Sequence, residues 1–254
     1  MTTPLVIKLS GKALKDKDKL NTLFEAFDSL DKNIVIVHGG GVEVDALLEA
    51  LDFKTTRLDG LRVSPKEQMP YISAALCGMC NKELQSMLIA KGHRALGLLA
   101  TDGNTTKACV LDEKYGCVGT VSAGSDEFLH SLFAMNIIPV ISSIGIDDKG
   151  TLLNINADDV ALSVAALLHA PLVYLSDVAG VLDLAGNLIE SIDTKKACEL
   201  IAQGIITDGM AVKVKAALKA STLTGAKIFI ASYSDPELKA SLKSLRRLGT
   251  SIYA

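Results

Sequence analysis

Three consecutive glycines, Gly39-Gly40-Gly41, stand between the apolar run Ile34-Val35-Ile36-Val37 and a helical pattern that follows. Without β-carbons, such a turn lets backbone N–H groups come close to a ligand and point at it, which suits anionic oxygens. Val44 occupies the place where a dinucleotide-binding loop needs its third glycine, so that chemistry is not indicated. The other use of the segment is a tight strand-to-helix turn without a ligand. Three adjacent glycines are costly in chain entropy, which favours the anion.

Lys8 lies in the apolar run Leu5-Val6-Ile7-Lys8-Leu9, just before Ser10-Gly11. A lysine near the carboxyl end of a parallel strand is placed to meet phosphate, because ligands of open α/β sheets bind at that edge. It would equally serve as an edge residue reaching solvent. Asn154-Ile155-Asn156-Ala157-Asp158-Asp159 sets two amides and two carboxylates after Leu152-Leu153. They can bind substrate, position cations or cap a helix. In the helical stretch from Gly209 to Leu223, Met210, Val214, Ala217, Leu218 and Ser221 form the buried stripe, with Lys215 and Lys219 on the solvated side. Lys213 borders that stripe near the helix N-terminus, where the helix dipole gives a cation no help, so an external anion is the natural partner.

These groups need elements to hold them. Six short apolar runs alternate with helical patterns: Leu5–Leu9, Ile34–Val37, Ala95–Leu99, Ile137–Ile141, Leu172–Leu175 and Lys227–Ile230. Continuous rather than alternating apolarity means strands covered on both faces. The expected fold class is therefore α/β, a three-layer α/β/α sandwich with a mostly parallel central sheet. Ser64 before Pro65 is expected to cap a helix, and Asp193 or Thr194 another that ends near Gly204. The Gly-, Thr-, Asp- and Lys-rich segment from Leu99 to Ser125 is expected to form a hairpin excursion. The whole chain, 1–254, is read as one domain, with a soft composition break at His169-Ala170-Pro171 between an N-terminal lobe of about 1–169 and a C-terminal lobe of about 170–254.

The chain has 254 residues, 49% of them hydrophobic and 22% charged, with a formal net charge of −3. Its mean hydropathy is +0.33. That balance supplies a core, and gives no basis for binding nucleic acid or an acidic membrane surface. No apolar run is long enough to span a bilayer and no secretory signal pattern is present, so a cytoplasmic protein is expected. Of the five cysteines, Cys77 and Cys80 have CxxC spacing but sit beside the apolar run Tyr71–Leu76, where thiols pack like small hydrophobes. His93, His130 and His169 read as structural or surface residues. The phosphate loop of P-loop enzymes, the protein-kinase motif set, the zinc-protease helix and the nucleophile elbow are all missing.

Taken in order, seven segments resemble the amino-acid kinase family. They are Ile7–Gly11, Val37–Gly41, Asp59-Gly60-Leu61-Arg62-Val63, Ser142–Gly145, Asn154–Asp158, Leu175–Val181, and Gly204–Met210 with Lys213. The resemblance covers essentially the whole chain and is nearest the branch that phosphorylates N-acetyl-L-glutamate. It implies that Gly40, Gly41, Arg62 and Asn154 hold the acylated amino acid, with Arg62 on its α-carboxylate. It further implies that Lys8 and Lys213 flank the transferring phosphoryl group and that Asp158 holds both lysines. Gly11 would donate its N–H to a phosphate oxygen, and Asp177, Val178, Ala179, Gly180, Val181 and Leu182, with Ile205, Ile206 and Thr207, would surround the nucleotide. ATP with Mg²⁺ is implied, without a metal site built from protein ligands.

Two departures qualify the pattern. Ser10-Gly11 stands where most of that branch carries Gly-Gly, and the uridylate-kinase branch often reads Lys-Leu-Ser-Gly. Another member of the family, or a ligand sensor that kept the fold without catalysis, is therefore the alternative. The first strand also begins by about Leu5, leaving no room for the extra helix that joins arginine-inhibited relatives into rings. A homodimer insensitive to arginine is expected, with the helix from Pro65 toward Leu88 as its interface.

Overall fold

Strands that are apolar on both faces need cover on both sides, and the computed structural model supplies it. It describes residues 3–254, with side-chain environments at all of these except 208, 209 and 212. The first half runs β1 (Leu5–Leu9), α1 (Gly11–Lys15), α2 (Lys17–Phe27), β2 (Ile34–His38), α3 (Gly41–Ala50), β3 (Arg57–Leu58), β4 (Leu61–Arg62) and α4 (Met69–Ser73). A π-helical stretch, Ala74–Cys80, leads into α5 (Asn81–Ala90). Then come β5 (Arg94–Leu98), β6 (Thr106–Val110), β7 (Val118–Ala123), α6 (Glu127–Ala134), β8 (Ile137–Ser142), β9 (Ile144–Ile146), β10 (Leu152–Ile155) and α7 (Ala157–Leu167). The remainder is β11 (Leu172–Ser176), β12 (Ser191–Ile192), α8 (Thr194–Ala202), α9 (Asp208–Thr224), β13 (Ile228–Ser232), α10 (Leu238–Ser244) and β14 (Thr250–Ile252).

The central sheet has eight strands in the order β12-β14-β13-β11-β1-β2-β8-β5, and only the β13–β14 pair is antiparallel. Alternate strand residues feed opposite cores, as the two-residue side-chain period requires. Val6, Val35, Val37, Leu172 and Ile230 pack with α6, α7, α8 and α9 on one face. Leu5, Ile7, Leu9, Ile36 and Val173 pack with α2, α5 and α10 on the other. The expected three-layer α/β/α sandwich and mostly parallel sheet are what the structure shows. All six expected strands are present within a residue or two at their ends.

The Leu99–Ser125 excursion forms as expected: β6 and β7 make an antiparallel hairpin, and β10 and β9 extend it to a four-stranded second sheet. Asp193 caps α8, its Oδ1 accepting from Lys196 N at 2.7 Å. Ser64 does not cap a helix. It bridges to Gly116, its N–H bonds to Tyr115 O, and the next helix begins only at Met69, with Pro70 in its first turn. The Ser–Pro pair was outweighed by the backbone pairing that Ser64 gains from the excursion.

In sheet order β1 lies between β2 and β11. The chain leaves β1 toward β2 on one side and returns much later as β11 on the other. That reversal opens a crevice at the carboxyl ends of β1 and β11, the place where open α/β sheets bind ligands. No helix among the described residues is long and apolar enough to cross a membrane.

Candidate active site

The glycine turn ends β2 and starts α3, whose N-cap is Gly40. A β-carbon on Gly40 would stand 2.7 Å from Cys80 Sγ and 2.9 Å from Leu76 Cδ2, so glycine is required by the π-helical stretch packed beneath it. His38, wholly buried, stiffens the turn from behind. Its Nδ1 bonds to Gly39 O at 2.8 Å, and Asn81 Nδ2 donates to its Nε2 at 3.0 Å and to Val140 O at 2.8 Å. Burial pushes the His38 imidazole down to about 4, so it is neutral at pH 7 with one nitrogen donating and the other accepting.

Above the turn lies a cleft of about 240 Å³ lined by Gly39, Gly40, Gly41, Arg57, Arg62, Ser143, Asn154, Asn156 and Ala157, among others. All four residues expected to hold an acceptor, Gly40, Gly41, Arg62 and Asn154, face this one space. Arg62 is only 6% exposed at its side chain and is already anchored: Nη1 pairs with Asp45 Oδ1, and Nη2 donates to Gly41 O at 2.9 Å. The Arg62 hydrogen bond, more than its charge or that of Arg57, holds the Asp45 carboxyl below the usual range. Asn154 Nδ2 donates to Ser64 Oγ at 3.0 Å, and Ser64 Oγ donates to Arg62 O at 3.1 Å. The amide and the guanidinium are thus fixed relative to each other through the serine.

A second, smaller cavity of about 70 Å³ lies at the β1/β11 crevice, lined by Lys8, Ser10, Asp158, Tyr174, Leu175, Ser176, Lys213, Ala216 and Ile230. The three expected catalytic residues, Lys8, Asp158 and Lys213, come together here from β1, α7 and α9. Lys8 is the one partly exposed residue in an otherwise buried strand, 16% at its side chain. Asn156 caps α7, its Oδ1 accepting from Asp158 N at 2.9 Å, which presents Asp158 in the first turn. The wall between the two spaces is the start of α7: Asn156 and Ala157 line the first, Asp158 the second.

Of the two lysines that the resemblance assigns to Asp158, one forms an ion pair with it. Asp158 Oδ1 lies 2.7 Å from Lys8 Nζ, while among the described residues no ion pair joins it to Lys213. Lys213 lines the same cavity from a different helix, and its charge helps to lower the Asp177 carboxyl after the stronger effect of Lys12. Lys12 Nζ contacts Asp177 Oδ2 at 2.6 Å, linking the turns after β1 and β11. Sequence reasoning passed over Lys12, because a lysine three residues beyond a strand reads as a solvated charge.

The segments expected around a nucleotide are of mixed character. Gly11 opens α1, with Ser10 Oγ accepting from Ala13 N at 3.3 Å. Asp177, Val178, Ala179, Gly180 and Leu182 follow β11, and Ile205 and Thr207 precede α9. Val181 and Ile206 are core residues, 1% and 2% exposed. The Val181 N–H donates to Thr250 Oγ1 at 2.8 Å and its carbonyl accepts from Ile189 N at 2.8 Å, so its backbone is engaged within the fold. A short apolar run beside a glycine reads alike whether it packs inward or outward, which is why sequence did not separate Val181 from its neighbours.

His93, His130 and His169 stand apart from both cavities: His93 bonds to Phe24 O, His130 pairs with Asp126, and His169 is exposed. Cys77 and Cys80 are thiols within the helical stretch, and burial raises both.

A mostly parallel sheet with a glycine-floored cleft and a lysine-lined cavity beside its switch point has the arrangement of an α/β protein that binds anionic ligands. The chain belongs to the amino acid kinase family, whose sequence profile matches residues 3–232. Within that family it is similar to the acetylglutamate kinase of Vibrio cholerae, with 45% identity over 252 residues, covering 98% of this chain and 96% of that one. It is similar at 44% over 251 residues to the acetylglutamate kinase of Aliivibrio fischeri, with 97% and 96% covered. The crystal structure of a Streptococcus mutans UA159 protein superposes with a TM-score of 0.82 at 31% identity, covering 100% of both chains.

Proposed function

We propose that this protein transfers the γ-phosphoryl group of ATP to the side-chain carboxylate of N-acetyl-L-glutamate, giving N-acetyl-L-glutamyl 5-phosphate and ADP, a step of arginine biosynthesis in the cytoplasm. The observation that carries this reading is the pair of cavities meeting at the start of α7. One offers a carboxylate site of backbone amides, an arginine and an asparagine; the other offers two lysines at a switch point. Near-full-length similarity to acetylglutamate kinases supports the same acceptor.

The acceptor carboxylate, with a reference pKa of about 4.3, is ionised at neutral pH and needs no general base. This fits a site whose buried histidine is neutral and bonded away from the cleft. The reaction then depends on in-line placement and on neutralising oxygen charge. Gly40 and Gly41 hold the acceptor against α3, and Arg62 and Asn154 fix its α-carboxylate end. A carboxylate oxygen forms the new bond to phosphorus as the bond to the bridging oxygen breaks, leaving the electron pair on ADP. Lys8 and Lys213 meet the phosphoryl oxygens from two sides, Asp158 positions Lys8, and Gly11 donates its N–H to a phosphate oxygen. Asp177, Val178, Ala179, Gly180 and Leu182, with Ile205 and Thr207, form the nucleotide edge. The donor set fits magnesium carried on the nucleotide: Asp158 and Asp177 each already have a lysine partner. When bound, Mg²⁺ neutralises charge on the phosphate oxygens.

In this reading residues up to about 169 hold the acceptor and those from about 170 the nucleotide. The protein works as a homodimer through the continuous helical stretch 69–90, which exposes Tyr71, Met79 and Ile89. The deciding experiment is ATP-dependent trapping of acyl phosphate by hydroxylamine with N-acetyl-L-glutamate, glutamate, aspartate and N-acetyl-L-2-aminoadipate. Hydroxamate with the first substrate is expected. Signal only with the unacylated acids overturns the acceptor, and none with any acid returns the sensor or a different family branch.

A further inference from the structure

The β3–β4 hairpin carries a second arginine that the acceptor reading leaves without a task. Arg57 lies directly opposite Arg62 in the hairpin register and lines the same cleft. The two guanidiniums share one carboxylate: Asp45 Oδ1 takes Arg62, and Asp45 Oδ2 accepts from Arg57 Nη2 at 2.9 Å.

Their circumstances differ. Arg62 is buried, and both of its terminal nitrogens are engaged, one by Asp45 and one by the Gly41 carbonyl. Arg57 is 53% exposed at its side chain and makes a single hydrogen bond among the described residues. The hairpin that carries it is tethered at its turn, where Tyr115 Oη donates to Asp59 Oδ2 at 2.7 Å. The backbone is therefore held while the Arg57 fork remains free to re-aim.

Charge counting gives this arrangement a consequence. Asp45 neutralises Arg62, so those two groups alone present no net charge to an arriving anion. A desolvated carboxylate needs a compensating positive charge. Arg57 brings the cluster of three to a net charge of +1, at the rim where the anion enters.

We propose that Arg57 is a specificity-determining residue of the acceptor cleft, which joins Arg62 in receiving the α-carboxylate and selects acceptors that carry one. This rests on the assignment of the cleft to the acceptor. Arg57 keeps Nη2 on Asp45 and offers its remaining donors to the ligand, while Arg62 supplies the rigid side of the clamp. Planar guanidiniums suit a carboxylate in this way, and one point charge would serve less well.

The test measures binding, so it does not depend on turnover. Calorimetry with the full-length protein compares N-acetyl-L-glutamate with its α-carboxamide in the unaltered protein, Arg57→Gln and Arg57→Lys. The unaltered protein is expected to favour the acid, and Arg57→Gln to lose about ten-fold or more in affinity for the acid while binding the amide as before. Arg57→Lys, which keeps the charge and guards against a folding artefact, recovers part of the loss. An acid-to-amide ratio unchanged in Arg57→Gln overturns the proposal, as does an unaltered protein that binds both alike or neither. If the acid is bound and discriminated but no hydroxamate forms, the kinase reading falls and the role of Arg57 stands.

Discussion

Lys8 Nζ lies 2.7 Å from Asp158 Oδ1, yet no hydrogen bond is aligned on that carboxylate oxygen. The pair is a close ion contact across the crevice that holds the ammonium at the cavity wall. Lys8→Ala and Lys213→Ala should each lower kcat by about 10²–10³-fold, the usual effect of removing one group that stabilises transition-state charge, with far smaller changes in acceptor affinity. Asp158→Asn should lower kcat less than Lys8→Ala, because it disturbs the lysine's position without removing its charge. Steady-state kinetics at saturating substrates checks this; an unchanged kcat removes the lysine concerned from the phosphoryl site.

Gly40 and Gly41 separate on packing. A methyl group at Gly40 meets Cys80 Sγ at 2.7 Å, whereas at Gly41 nothing lies closer than Arg62 Nη2 at 4.0 Å. Gly40→Ala should cost about 1–3 kcal/mol, the range for overpacking a filled site, and raise the acceptor KM. Gly41→Ala should leave stability nearly unchanged. Adding Cys80→Ala to Gly40→Ala should recover part of the loss, read by urea denaturation of the set.

The buried His38 makes stability depend on pH in a definite direction. Its folded pKa, about 4, is depressed below the unfolded value of about 6.5. Its contribution is fully present above pH 6.5, where both states are neutral. As pH falls toward 4 the unfolded chain takes up a proton that the folded chain refuses, and stability is lost. The limit is about 3 kcal/mol at 1.36 kcal/mol per pKa unit. NMR titration of the imidazole should show it largely neutral from pH 7 down to 5, with about a tenth protonated at the lower end; a midpoint near 6.5 would remove the effect.

The five thiols should divide by environment. Burial first, then Glu43 and Glu83, pushes the Cys80 thiol up to about 12, and burial also raises Cys77. Since the thiolate is the reactive form, exposed Cys109 and Cys198 should alkylate first at pH 7.5. Peptide mass spectrometry after brief iodoacetamide treatment reads the order, and early labelling of Cys80 would show that the helical stretch under Gly40 opens readily.

The sequence by itself determined the layers and singled out the candidate residues that the two cavities bring together. Runs such as Ile34–Val37 and Leu172–Leu175 are apolar without alternation, which only a doubly covered strand tolerates, so the sandwich follows from local pattern. Lys8 and the three glycines stand out because charge within such a run, or a turn without side chains, is costly unless used. Tertiary structure decided the pairings, since they join residues far apart in the chain. Nothing local in Asp158 says that it meets Lys8 rather than Lys213; the packing of α7 on β1, with α9 seated on β13 and β14, sets that. Nothing local in Arg57 or Asp45 marks them either, and charges in a loop and on a helix ordinarily face water. Only the hairpin register and its closure over α3 bring two guanidiniums onto one carboxylate beside the glycine turn.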